Sequence, residues 1–437
     1  MTQKNKILFL AAAAVVLFLG FYRNQWNIVL PGKFKNFQYS DQSLVMGRLA
    51  ETQQRGIFSN GGLLGLGDAD VYGKGDEGGG DNQALYDHQY EAYFKNLPFE
   101  QFEAYGSQTG MQAMFFGALD TLSPLTPVEN MRVYRIIAAL SFALLLTYLL
   151  SWFLNEFGWG AALLLFAGSV VTPAFTLFGR NLFYVTAFLF LPLAAHTYYL
   201  SRRAANAPPR EILLVAFFSV LAKILFNGFD FILPSILMLG VPYVYYALRD
   251  QWTLRKFTQA VLFIFMGTAA AVLLSLLILW AQLWVYNQDP AQAAQYIINT
   301  FNRRTLGNPE QYPAYALSLQ ANVWDVLKMY FERGGVIAQT RIRFMDVFAV
   351  YGALTAIYIA ARALKKDARD SARANALLIA TWVSMLSPLV WFIIFKGQAF
   401  MHPHTNFLSW YMPFMIYGYA MRGYILQNLL FRNSSLS

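Results

Sequence analysis

The sequence predicts an all-α polytopic membrane protein, and three observations carry that expectation. Hydrophobic residues make up 57% of the chain and charged residues only 13%, about half the charged share of a soluble domain. Mean hydropathy is +0.37. Several apolar runs approach or exceed the ~20 residues that a helix needs to cross about 30 Å of hydrocarbon.

The first run, Ile7–Tyr22, has the look of a signal peptide. No small-residue cleavage site precedes Arg23-Asn24-Gln25-Trp26, so it reads as a retained span. Nine more segments follow, at 132–154, 159–178, 182–200, 211–227, 231–248, 257–286, 344–362, 375–395 and 407–426. The expected organisation is a first transmembrane helix (1–22), a long loop one (23–131), helices two to seven (132–286), a long loop four (287–343), and helices eight to ten with a short tail (344–437).

The connections set the expected orientation. Lys4 and Lys6, the run Ser201 to Arg210, the run Arg249 to Lys256, the run Arg362 to Arg369, and Arg422 with Arg432 alternate along the chain on one side. Short basic loops stay cytoplasmic, which puts both termini inside and the two long loops outside a plasma (inner) membrane. The net charge of +9 is ordinary on that reading, and no basic stripe points to nucleic acid. Zero cysteines exclude disulfides, thiolate metal sites and cysteine nucleophiles.

Loop one carries two aromatic, amphipathic stretches, Tyr90–Phe102 and Met111–Leu122, of a kind that lies along a membrane interface. Between loop one's start and these stretches runs a glycine-rich acidic patch, 61–80. Asp68-Ala69-Asp70 there resembles part of a calcium loop, but Tyr72 stands at the third ligand position and no glutamate closes the set. Loop four, with Tyr296, Asn299, Arg303, Arg304, Tyr312 and Trp324, reads as a folded cap. His88 reads as a surface residue and His196 as a satisfied histidine inside the bundle.

Ionisable residues are scarce near membranes unless function or pairing requires them. Every outer turn here displays some: Asp41 after the first span, Arg180 and Asn181 after the third, Lys223, Asn227 and Asp230 around the fifth-to-sixth turn, and Lys396, His402 and His404 after the ninth. Each also has a structural reading. Asp41 could cap a helix starting at Gln42, Arg180 could snorkel, Lys223 and Asp230 could neutralise each other, and the histidines could be solvated or ligate a metal.

The cytoplasmic connections are too short for a nucleotide-binding βαβ unit, and no phosphate loop of the G-x-x-x-x-G-K-[ST] type is present. An activated donor for chemistry at the outer face must therefore come with the membrane. A lipid phosphate fits, met by cations, with a carboxylate deprotonating an incoming hydroxyl.

With Asp41 in YSDQSLVMGRL, the stretches LFGRNLFYV and FKGQAFMHPHTNFLSWYMPF, and interfacial helices in loop one, the chain resembles the GT-C-type integral membrane glycosyltransferases. Members of that family combine a short cytoplasmic N-terminus, a first span and a long first external loop with an acidic residue soon after the membrane. Many carry paired acids there, whereas Asp41 is flanked by Ser40 and Gln42. The resemblance implies a GT-C-like bundle with about ten transmembrane helices, a polyprenyl-phosphate sugar donor, inversion at the sugar carbon, often a divalent cation (Mg or Mn), and a role in building cell-envelope glycans.

On this expectation Asp41 is the general base and Asp230 a second acid or a cation's partner. Arg180, Lys396, His402, His404, Arg303 and Arg304 bind the donor phosphate, and Asn181, Lys223 and Asn227 complete a polar pocket. The acceptor is a glycan, lipid or protein, and membrane lipid surrounds the site. Two alternatives stay open: a flippase or transporter of lipid-linked glycans, or a glycan polymerase or ligase using a lipid-diphosphate donor.

Overall fold

The computed structural model describes residues 3–72, 82–204, 207–365 and 371–431. Its elements follow from local signals. α1 (Gln3–Arg23) is a continuous apolar helix. α2 (Pro31–Arg55) starts at a proline, whose fixed φ suits a first helical turn and whose missing N–H is not needed there. It ends at Gly56, where φ is +86°, a conformation that glycine adopts without a Cβ clash. Asp41 is therefore inside a helix and does not cap one: the helix begins at Pro31, not at Gln42 as the cap reading requires.

β1 (Leu64–Gly67) pairs antiparallel with β2 (Phe102–Tyr105), with Leu64 opposite Tyr105 and Gly67 opposite Phe102. α3 (Ala69–Tyr72) and α4 (Gln83–Lys95) lie between the strands, and α5 (Met111–Leu122) ends the first insertion. The Met111–Leu122 stretch is thus helical as expected. The Tyr90–Phe102 stretch is helical only as far as Lys95, then turns into the ribbon. In the glycine-rich patch, residues 73–80 lie outside the described residues. Asp68 just before them accepts from the Glu100 and Gln101 amides, both at 2.9 Å, and meets His88 Nε2 at 2.9 Å. His88 is consequently enclosed, with 12% of its side chain exposed, contrary to the surface reading.

α6 (Pro127–Phe157) opens with a capping box. The Thr126 hydroxyl accepts from the Glu129 amide, and the Glu129 carboxylate accepts from the Thr126 amide at 3.0 Å. α7 (Trp159–Val171) and α8 (Pro173–Phe178) share one apolar run, split where Pro173 cannot continue the helical ladder. α9 (Ala187–Arg203), α10 (Pro209–Asn227), α11 (Ile232–Arg249) and α12 (Leu254–Asn287) follow. The second insertion holds α13 (Pro290–Arg304), α14 (Ala316–Gln320) and α15 (Val323–Glu332); Asp289 and Asn322 cap α13 and α15. The chain closes with α16 (Phe344–Lys365), α17 (Ser371–Ser384), α18 (Leu386–Ile394), α19 (Lys396–Met401), α20 (Pro403–Asn406) and α21 (Phe414–Phe431).

The ten expected spans overlap helical segments, although 182–200 becomes helical only at Ala187. Among the described residues, six stretches are long and apolar enough to cross a membrane: Gln3–Arg23, Pro127–Phe157, Ile232–Arg249, Leu254–Asn287, Phe344–Leu364 and Ala372–Ile394. The other four are interrupted, shorter or more charged; 407–426, for example, becomes α-helical only at Phe414. The protein is therefore membrane-embedded and predominantly helical. His196 is buried in the bundle with its Nδ1 2.9 Å from the Tyr243 hydroxyl, but its Nε2 has no partner among the described residues, so the reading of a satisfied histidine holds for one ring nitrogen only.

The centre of the bundle is α21. From Tyr411 to Ile425 every residue except Arg422 is buried, the pattern of a helix enclosed on all sides. It packs on α7, α16 and α17. At the α7 crossing a Cβ on Gly423 would overlap the Gly160 carbonyl, so both positions need glycine for the backbones to approach this closely.

The first insertion is fastened to α6 through Asp120. Its Oδ1 accepts from the Tyr93 hydroxyl at 2.7 Å, the Tyr134 hydroxyl at 2.9 Å and the Asn130 amide at 2.8 Å. Its Oδ2 accepts from the Gln53 amide at 3.0 Å. One carboxylate therefore ties α2, α4, α5 and α6. Asp120→Ala strands two partly buried tyrosine hydroxyls. It is expected to lower unfolding stability by about 3 kcal/mol, read as a fall in the thermal midpoint of the detergent-solubilised protein.

Candidate functional site

The α10–α11 turn is built around a buried lysine. Lys223 Nζ donates to the Gly228 carbonyl at 2.8 Å and to the Asp230 carbonyl. Gly228 has φ +58° and sits against Gln108, so a side chain there would collide. This arrangement presents the Asp230 side chain to Arg304, at the end of α13. Arg304 Nη1 lies 3.2 Å from Asp230 Oδ1, and Nη2 donates to the Tyr105 hydroxyl at 3.2 Å. Burial works against the guanidinium charge, but Tyr105 and Asp230 outweigh it and hold Arg304 above its ordinary pKa.

Asp41 faces the same group from α2. Its Oδ2 is buried without a hydrogen-bond partner among the described residues. Burial, and then the charge of Asp230, push its carboxyl up to about 7. Tyr184 stands beside Asp41, Asp230 and Tyr105. Asn181 holds that tyrosine in place, its Oδ1 accepting from the Phe183 amide at 2.9 Å and the Tyr184 amide at 3.3 Å.

Arg180 reaches the group from another side. Its Nη1 donates to the Tyr22 carbonyl at 2.8 Å, and the guanidinium lies 4.3 Å over the Phe34 ring. Burial, and then the neighbouring Arg135, lower its pKa to about 10. Arg135, from α6, shares its Nε and Nη2 with Gln42 Oε1 at 3.4 and 3.2 Å. Among the described residues neither arginine has a carboxylate within ion-pair distance. Tyr90 is within electrostatic reach of both arginines and of Asp41.

The histidines occupy the other flank. His402 lies near His404, Arg304 and Asp230; burial first, then His404 and Arg304, bring its pKa down to about 4. It is a neutral hydrogen-bonding group at neutral pH. His404, at the rim, is lowered by burial and by Arg333 and Lys33.

The remaining expected residues stand apart. Lys396 Nζ donates to the Leu319 and Ala321 carbonyls at 2.8 and 2.9 Å, clamping the second insertion. Arg303 lies 5.2 Å over the Tyr315 ring. Lys223 is occupied by its own turn. Asn227 is buried, and neither its Nδ2 nor its Oδ1 has a partner among the described residues. The sequence reading missed Tyr105, Tyr184, Arg333, Lys33 and Arg135. For Arg135 a signal existed: an arginine within an apolar run, in NMRVYRIIAAL, is costly enough to suggest a role.

Among the described residues no three metal-ligating side chains gather. Asp230 is already engaged by Arg304, so the donor set does not fit a divalent cation and no step is routed through one. Comparison with known proteins returns no match, whether to a family model, a curated protein or a solved structure.

Lys396→Met is expected to release the 316–322 segment while leaving the acid pair intact. Limited proteolysis there should quicken about tenfold, on the loss of two charge-assisted hydrogen bonds.

Proposed function

We propose that this protein is a GT-C-type membrane glycosyltransferase with about ten spans and both termini cytoplasmic, acting at the outer face of the plasma membrane. It moves a sugar from a polyprenyl phosphate to an acceptor hydroxyl. The observation that carries the reading is an unpartnered carboxyl titrating near neutrality, Asp41, which shares the neighbour Tyr90 with two arginines that lack carboxylate partners among the described residues. An acid of that kind suits proton abstraction at physiological pH. A buried cation pair without counter-charge suits a ligand that brings its own negative charge.

In the reaction the acceptor oxygen attacks the anomeric carbon as Asp41 takes its proton. The bond from that carbon to the phosphate oxygen breaks, and the electron pair leaves with the phosphate. Attack opposite the departing phosphate inverts the sugar carbon. Arg135 and Arg180 hold the phosphate and stabilise its growing charge. Asp230, fixed by Arg304, keeps Asp41's affinity for a proton high and helps to orient the acceptor. His402, neutral, can hydrogen-bond a sugar hydroxyl. This moves the phosphate grip away from Lys396 and Arg303 and adds Arg135. The short basic loops of the sequence support the orientation.

The test uses transfer or donor hydrolysis with short-chain polyprenyl-phosphate sugars. Asp41 is protonated below about 7, so it serves as a base only above that pH. Wild-type kcat is expected to rise with pH through 7 and then level. Asp41→Asn should lower kcat by about 10²–10⁴-fold and abolish that limb; full activity would remove Asp41 as the base. The Arg135→Gln and Arg180→Gln variants should each weaken donor binding roughly ten- to a hundredfold. Unchanged donor affinity in both would remove the arginine pair from the site.

A further inference from the structure

A second cationic group lies on the other flank of the acid pair. It draws on three distant parts of the chain: Lys33 in the first turn of α2, Arg333 just after α15, and His404 on α20. Arg333 lies 4.7 Å over the Phe407 ring, and the His402 and His404 rings are 5.7 Å apart. Lys33 and Arg333 are both close enough to His404 to disfavour its protonation.

The backbone that carries Arg333 is fixed and tied to the run that leads into α2. The Arg333 carbonyl accepts from the Phe344 amide at 3.2 Å, and Gly334 forms an antiparallel bridge with Arg343. Gln339 donates to the Asn27 carbonyl at 2.9 Å, fastening the same segment to the run that leads into α2. Among the described residues neither Arg333 nor Lys33 has a carboxylate within ion-pair distance.

Its position relative to the acids is defined by His402, which neighbours His404 on one side and Arg304 and Asp230 on the other. The Arg135–Arg180 pair instead approaches Asp41 through Tyr90. Each cationic group rests on an aromatic ring of its own, Phe34 under Arg180 and Phe407 under Arg333. A single lipid phosphate needs one of these stations. We infer that Lys33, Arg333 and His404 form a second anion-binding station, which receives a phosphate or carboxylate carried by the acceptor. The inference of an acceptor rests on the transfer reading above; the station itself does not. A guanidinium offers a planar fork matched to either anion, and a lysine adds a point charge.

The test is equilibrium binding to the full chain in zwitterionic nanodiscs. The soluble probes are glucose, glucose 6-phosphate and glucuronic acid; a short-chain prenyl phosphate reports the donor side. Wild type is expected to prefer an anionic sugar over glucose. The double variant Lys33→Gln/Arg333→Gln should lose that preference by roughly tenfold or more, with prenyl phosphate affinity unchanged. Arg333→Lys, which keeps the charge, should retain most of it and controls for misfolding. The idea is overturned if wild type shows no preference, or if the double variant loses prenyl phosphate binding as well, because both stations would then serve the donor. It is also overturned if the soluble anionic sugars fail to bind and only phosphatidylglycerol, supplied in a parallel nanodisc preparation, is retained through Lys33 and Arg333, which would make the station a headgroup contact. Anionic sugar binding without prenyl phosphate binding would uphold the station and sink the donor reading.

Discussion

Arg304 joins three parts of the chain that are far apart in sequence: the ribbon of the first insertion through Tyr105, the α10–α11 turn through Asp230, and the second insertion that carries it. A guanidinium in so enclosed a place is expensive unless its donors are met. Meeting them requires that both insertions and the turn arrive together. The ion pair therefore acts less as a source of stability than as a condition on assembly. Lys223 works beneath it in the same manner, spending its charge on two carbonyls so that the turn can present Asp230. With these cations committed, Arg135 and Arg180 are left without a carboxylate within ion-pair distance among the described residues.

This division of labour separates structural from available charge. Lys396, Arg304 and Lys223 are each within hydrogen-bonding distance of fixed protein oxygens. Arg180 and Arg333 lie on aromatic rings, where a cation gains some stabilisation yet keeps donors for a ligand. The neutral His402 sits between the acids and the rim and adds no positive charge of its own near neutral pH.

The apolar runs, the prolines at helix starts and the alternating basic loops made the helical bundle legible before any coordinates, because span length and side-chain transfer energy are local properties. So too was the meeting of Asp41 with Asp230, as residues near the ends of separate hairpins. What stayed hidden depended on long-range partners. Asp41 read as a cap because Pro31 lies ten residues upstream, outside the window in which capping is judged. Lys396 read as a ligand group because nothing in its neighbourhood announces the Leu319 and Ala321 carbonyls, about 75 residues away. His88 read as exposed because its partner, Asp68, sits in a glycine-rich stretch with no periodic signal. Tyrosines such as Tyr105 and Tyr184 were lost among 26 in the chain, since composition cannot tell a packing aromatic from one that touches a carboxylate.

The enclosed position of α21 has a bearing on biogenesis. The helix at the middle of the bundle comes after the other described helices in the sequence, and its seat against α7 includes the close Gly160–Gly423 approach. A membrane protein made from its N-terminus must therefore insert its outer staves before its axle. The early helices have to remain parted, or loosely gathered, until α21 follows them into the membrane, and the polar cluster at their mouth can reach its final shape only after that segment slides home.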